Sequence, residues 1–176
     1  MTLKEDITLA MQKLARKKKT VFLGENVINS GRLYDTLSKV PVAKCIEMPV
    51  AENLIAGTAI GLAIAGYRPI CIFQRMDFML IAADQIINHA CLIPEMSGGS
   101  VVLPIIFRCV RASLNRGFYV GLQHSKDFTH VFERYLETIK IPFDSGNAQN
   151  AYEHAYLQSK PTLVVEEYKH YGKEIR

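Results

Sequence analysis

Residues 48–88 read MPVAENLIAGTAIGLAIAGYRPICIFQRMDFMLIAADQIIN, and the order of residue types along this stretch decides the fold. Glu52 stands immediately before an apolar run, Leu54 to Ala65, that has the length of a helix and stops at Gly66. Tyr67-Arg68-Pro69 closes a turn, and Ile70-Cys71-Ile72-Phe73 reads as a short strand buried on both faces. The unit is a helix feeding a strand, with a carboxylate at its entrance. Gly57, Gly61 and Ala65 recur every four residues, so they share one helix face and leave its backbone nearly bare for another backbone or a flat ligand. Spacing alone leaves two readings open. Glu52 is either an active-site acid beside that strip or a first-turn acid that complements the helix dipole by about 0.3–1 kcal/mol, with the glycines as plain helix packing.

Working outward, Thr2 to Lys17 has an amphipathic helical pattern with Ile7, Ala10, Met11 and Leu14 as its stripe, and Thr2 and Glu5 are spaced as a capping box. Val21-Phe22-Leu23 reads as a buried strand and Cys45 to Met48 as an edge strand. Downstream, the patterns predict a helix over Met79 to Leu92 with Asp84 and Asn88 one turn apart, a loop at Ser97 to Ser100, and a strand over Val101 to Phe107. A helix over Asp127 to Thr138, a strand at Ile139 to Ile141, a helix over Ala148 to Gln158 and a strand at Thr162 to Val165 complete the chain. Helices alternating with continuously apolar strands mean an α/β fold, a mainly parallel sheet with helices on both faces, expected as one domain over residues 1–176. In such a sheet ligands bind where strands run into loops. The polar residues that matter are therefore Glu25, Asn26, Glu52, Arg75 to Asp77 and the loop-borne set from Arg108 through Ser125. Among the histidines His124 is the best placed, after a glycine-bearing loop and before a helix, although a loop histidine by itself is more often inert.

Composition excludes several classes. The chain has 176 residues, 49% of them hydrophobic, enough for a real core. Its longest apolar run, Leu54 to Gly66, is shorter than the roughly 18–20 residues needed to cross a bilayer, so no membrane role is expected. The charged start MTLKEDIT lacks an apolar signal core, which predicts a cytoplasmic protein. The net charge of +4 is matched by Arg16-Lys17-Lys18-Lys19 alone, a cluster at a helix end and not a basic face with stacking aromatics, so nucleic acid is not a partner. Cys45, Cys71, Cys91 and Cys109 have no zinc-type spacing and read as reduced thiols. Phosphate-binding, dinucleotide-binding, zinc-protease and nucleophile-elbow motifs are all missing.

Several blocks in order resemble one family. Pro49 to Asn53, Gly57 and Gly61, Ala65 to Ile70, Asp77-Phe78, Asp84 to Asn88, Met96 to Gly99, Leu103 to Arg108, Gly121 to Ser125 and Val21 to Val27 look like the pyrimidine-binding domain of thiamine-diphosphate enzymes. The likeness is to the form found in the beta subunit of pyruvate and branched-chain 2-oxoacid dehydrogenases. It implies that Glu52 hydrogen-bonds a ring nitrogen of the cofactor's aminopyrimidine and so promotes loss of the thiazolium proton, after which the cofactor acts as an electron sink. It further implies that Phe78 packs on the pyrimidine ring, that Glu25 belongs with Glu52 and Phe78 to the cofactor-binding set, and that His124 lies near the reacting substrate as a proton-transfer or orienting group. The chain lacks the Gly-Asp-Gly and downstream Asn that hold magnesium and the diphosphate in such enzymes. The resemblance therefore implies thiamine diphosphate as cofactor, with Mg2+ held by a diphosphate-binding subunit on another chain, and a homodimer of this chain within a heterotetramer. No metal ligand is expected here.

The departures shape the expectation. Cys109-Val110-Arg111-Ala112 follow Arg108 where relatives turn into a glycine-rich loop, and Lys160 falls in the segment 155–161 that matches a potassium-binding loop, so that ion is expected to be absent. Relatives carry a further C-terminal domain, whereas these residues end at Arg176, which points to a small split enzyme acting on a 2-oxoacid or a ketose. The alternatives are a regulatory or assembly subunit without catalysis, and a generic α/β binding module with no thiamine link.

Overall fold

The computed structural model describes residues 1–29, 31–112, 121–141 and 147–175. In chain order, α1 spans Leu3–Ala15, β1 Thr20–Gly24, β2 Cys45–Glu47, α2 Glu52–Ile64, β3 Arg68–Phe73 and α3 Met76–Met79. A π-helix at Asp84–Ala90 follows, then α4 Ile93–Met96, β4 Ile106–Arg111, α5 Thr129–Phe132, β5 Glu137–Lys140, α6 Ala148–Leu157 and β6 Thr162–Glu167. The strands form one six-stranded sheet in the order β2-β1-β3-β4-β6-β5, and each neighbouring pair is parallel.

Alternate strand residues point to opposite faces, and helices cover both. Phe22, Ile72, Ile106 and Val164 pack against Leu3, Ile7 and Met11 of α1 and Tyr152 of α6. Leu23, Cys71, Phe107 and Leu163 pack against Ile55, Ala56 and Ala59 of α2 and Ile86 of the π-helix. The capping box at the start of α1 is formed. Thr2 Oγ1 accepts from the Glu5 amide at 3.2 Å, and Glu5 Oε2 accepts from the Thr2 amide at 2.7 Å.

Four sequence expectations are corrected. The segment 79–92 is not one helix: α3 ends at Met79 and a π-helix resumes at Asp84, its wide turn marked by Cys91 N donating to Ile86 O at 3.1 Å. This wider turn seats Gln85 against α2, where a Cβ on Gly57 would come within 3.3 Å of Gln85 Oε1. The glycine strip is thus divided, with Gly57 turned inward and Gly61 open to the outside. The strand expected at Val101 to Phe107 begins at Ile106 instead, since Pro104 has no N–H for a ladder. It runs on through Arg108, which is not on a loop but fully buried in β4, because Glu166 on β6 answers its charge. The helix expected over Asp127 to Thr138 is confined to Thr129–Phe132. Glu137 is already paired in β5, an edge strand whose polar residues mimic a helix surface.

Strand order positions the site. β1 lies between β2 and β3; the chain leaves β1 for β2 along the α1 face, where Val27, Leu33 and Leu37 pack, and returns to β3 through α2 on the other. Such a reversal leaves a crevice beyond the carboxyl ends of β1 and β3.

Candidate functional site

That crevice is a cavity of about 230 Å³. Glu25 reaches it from the loop after β1, and Glu52 and Ile55 from the start of α2. Ile72 and Phe73 end β3, Gln74 and Arg75 follow them, Phe78 comes from α3, and His124 from a 3-10 turn at Leu122–His124. All four residues singled out in the sequence, Glu25, Glu52, Phe78 and His124, meet in this one cavity.

Glu52 opens α2 and is 5% exposed. An acid that merely complements a helix dipole gains about 0.3–1 kcal/mol and can do so in water, whereas burying a carboxylate costs several times more. Its burial in a cavity wall therefore argues against the plain dipole reading. The backbone around it is bare of help, since Ala51 offers no capping side chain.

Glu25 is held in place from the edge strand. Glu47 in β2 accepts from the Asn26 amide at 2.6 Å and from the Ile28 amide at 2.7 Å, which fixes the loop that carries Glu25. Burial pushes the Glu25 carboxyl above the ordinary carboxylate range, and the charges of Glu52 and Glu47 push it the same way. The Glu52 charge therefore adds to burial in making the charged form of Glu25 more costly.

The opposite wall is aromatic. The rings of Phe78 and His124 stand edge to face, 5.1 Å apart between centroids. Two clamps hold the His124 turn against α3: Asp77 Oδ1 accepts from the Lys126 amide at 3.2 Å, and Phe128 N contacts Met76 Sδ at 3.3 Å. Buried His124 Nδ1 has no hydrogen-bond partner among the described residues, so the ring has a polar atom to offer. Residues 113–120 of the loop leading to His124 lie outside the described residues.

The family described as transketolase, pyrimidine binding domain, matches residues 1–173. This chain belongs to it. The chain is 33% identical to the pyruvate dehydrogenase E1 component subunit beta of Bos taurus over 98% of its own length and 49% of the relative's. It is 30% identical to the subunit of the same name from Rickettsia bellii, over 98% of this chain and 54% of that one. Among solved structures, a split gene transketolase described as an inactive beta4 tetramer superposes with a TM-score of 0.71 at 17% identity, over 94% of this chain and 51% of the other, a likeness of fold alone. The chain spans about half the length of the curated relatives it matches. Family membership makes it related to the subunits of thiamine-diphosphate enzymes.

A flat heteroaromatic ring fits this pyrimidine-domain cavity, which presents apolar Ile55 and Ile72, an aromatic face at Phe78 and a buried carboxylate at Glu52. No group of three or more His, Cys, Asp or Glu side chains among the described residues is arranged to hold a metal ion. Glu47 and Gln74 were missed in the sequence. Their signal was a carboxylate closing the short Cys45-Ile46 strand and an amide directly after the apolar run 70–73. Gln74 Oε1 accepts from Asn26 Nδ2 at 2.8 Å, joining the two strand-end loops across the cavity floor.

Proposed function

We propose that this chain is the pyrimidine-binding subunit of a two-chain thiamine-diphosphate-dependent enzyme that acts on a 2-oxoacid or a ketose by decarboxylation or two-carbon transfer. The observation that carries the reading is Glu52, buried in a cavity that also holds Phe78 and His124, in a chain matched to this family over residues 1–173. When bound, the cofactor supplies a carbon nucleophile and a sink for the electron pair released next to a carbonyl. Glu52 hydrogen-bonds a ring nitrogen and stabilises the proton shared there, which low polarity around a carboxylate strengthens. Phe78 gives the ring a face to lie on. Glu25 lines the cofactor side of the cavity with Glu52. His124 orients the substrate or exchanges a proton with it through its ring nitrogen.

The diphosphate and its Mg2+ fall to a diphosphate-binding subunit on a second chain. A homodimer of this chain within a heterotetramer is supported by the outward face of α2, where Leu54 is 52% and Ile64 58% exposed on either side of open Gly61. A regulatory or assembly role has one supporting observation: a structural neighbour is described as an inactive tetramer of beta chains.

Calorimetry of thiamine diphosphate with Mg2+ separates the readings, using this chain alone and mixed with a diphosphate-binding chain. Binding only in the mixture, with turnover that falls at least ~100-fold in Glu52→Gln while the fold is kept, is the expected result. Unchanged turnover in that variant would leave assembly as the role.

A further inference from the structure

A second cavity, of about 360 Å³, opens on the face of the sheet that α1 covers, between the segment that follows β1 and the turn that follows β6. Three tyrosine rings form one wall. Tyr34 and Tyr168 have centroids 4.7 Å apart, Tyr168 and Tyr171 5.3 Å, and Tyr34 and Tyr171 6.1 Å. The three do different work. Tyr171 is 4% exposed and its hydroxyl donates to buried Glu166, so this ring completes the core. Tyr34 and Tyr168 are only partly buried, and the Tyr168 hydroxyl has no hydrogen-bond partner among the described residues.

The backbone holds Tyr34 in place under strain. Arg32, Leu33, Tyr34 and Asp35 have φ between +28° and +65°, the left-handed region that a residue with a side chain enters only against steric repulsion. Leu33, 1% exposed, anchors this turn in the core, and Gln74 Nε2 donates to the Tyr34 hydroxyl at 3.4 Å from the other side. The ring is therefore positioned before anything binds, which lowers the entropy cost of binding.

The rim of the cavity carries two cations, Lys4 and Lys169, against one acid, Asp35. Lys4 pairs with Asp35 at 3.0 Å and Lys169 with Glu167 at 2.6 Å. Both pairs are part-exposed and of the weak kind, so an anion entering the cavity can draw on either ammonium. Aromatic faces give a flat ring a surface to stack on, and ammonium groups beside them hold a negative charge at its edge. The volume lies in the range of small-molecule sites, roughly 300–1,000 Å³.

We infer that this cavity binds a small aromatic molecule that carries an anionic group, with its ring against Tyr34 and Tyr168 and its charge held by Lys4 and Lys169. No residue that touches this ligand lines the cavity holding Glu52, so the site stands apart from the thiamine reading.

The test uses this chain with isotope-labelled tyrosine rings, read by NMR during titration with two aromatic anions, adenosine 5′-monophosphate and phenylacetate. Adenosine supplies a ring without the charge, and inorganic phosphate the charge without a ring. The Tyr168 ring signals are identified by their loss in Tyr168→Phe. They are expected to shift saturably with at least one aromatic anion, and at least tenfold more weakly, or not at all, with adenosine and with phosphate; the stronger of the two anions names the group recognised. Lys4→Ala and Lys169→Ala should each weaken that binding on the order of tenfold, whereas Lys18→Ala, outside the cavity, should leave it unchanged. No saturable shift at Tyr168 with either aromatic anion, equal affinity for adenosine or for phosphate, or affinity unchanged in both Lys4→Ala and Lys169→Ala overturns the inference. An equal loss in Lys18→Ala overturns it too, since net charge and not this cavity would then account for binding.

Discussion

Two of the places where this molecule buries charge treat it in opposite ways. Between β4 and β6, Arg108 and Glu166 are both fully buried and matched to each other. Arg108 Nε and Nη2 donate to the two Glu166 oxygens at 3.1 and 2.9 Å, and Nη2 also reaches Thr36 Oγ1 at 2.8 Å. The hydroxyls of Tyr152 and Tyr171 donate to the same carboxylate, and burial followed by the Glu166 charge pushes both phenols well up. In this network Arg108 Nη1 alone lacks a hydrogen-bond partner among the described residues. In the cavity at the ends of β1 and β3, by contrast, burial and then the charges of Glu52 and Glu47 raise the cost of charge on Glu25, and His124 Nδ1 has no hydrogen-bond partner among the described residues. A set closed on itself specifies structure, whereas a set that repels itself in a cavity is arranged for something from outside.

The largest effect is expected where the closed set is broken. Arg108→Met or Glu166→Gln leaves one buried charge without its partner and should cost about 3–5 kcal/mol in a urea unfolding titration. The double variant Arg108→Met with Glu166→Leu should cost much less than the two single losses added together, and strict additivity would show that the pair is not one unit. Next comes the seam between the two regions, at Gly24. Its φ is +152°, and a Cβ there would lie 2.5 Å from the Ile72 carbonyl oxygen, so Gly24→Ala should destabilise by about 1–3 kcal/mol and splay β1 from β3 at the cavity floor.

A smaller stability effect is expected inside the cavity. Glu52→Gln, which ends turnover under the proposed function, should change stability by less than about 1 kcal/mol or even raise it, because it removes a buried charge. A loss as large as that of Glu166→Gln would erase the contrast between the regions. The smallest effect concerns pH. The Glu25 carboxyl is raised in the folded state, so the native chain holds its proton more tightly than the unfolded chain does. Stability therefore falls as pH climbs from the ordinary carboxylate value through the raised one. Thermal melts across that window should show a shallower decline in Glu25→Gln, and parallel curves for the two proteins would mean that Glu25 is not under this pressure.

Much of this was legible along the chain because it depends on local order. The capping box at Thr2 and Glu5, the apolar strands at 21–23 and 70–73 and the helix ending at Gly66 each follow from neighbours in sequence. The position of Glu52 at the head of α2 was readable for the same reason. Arg108 was misread as a loop residue since its partner, Glu166, is 58 residues away and a lone arginine in an apolar run looks like an ending. The π-helix at Asp84–Ala90 was misread because an extra residue per turn leaves no mark in the local apolar pattern, and Gln85, which it carries, meets Gly57 of α2, a residue distant in sequence.

By itself, then, the sequence determined the alternation of helix and apolar strand and the parallel sheet that follows from it, which are properties of residue type and short-range spacing; Glu25, Glu52, Phe78 and His124 were singled out with the help of the family resemblance. Only the tertiary structure decided that the chain reverses between β1 and β3, that the four side chains share a cavity with Arg75, and that Arg108 belongs to the core. The reason is physical: strand order, and the field that one charge exerts on another, depend on distances through space, which no stretch of sequence carries alone.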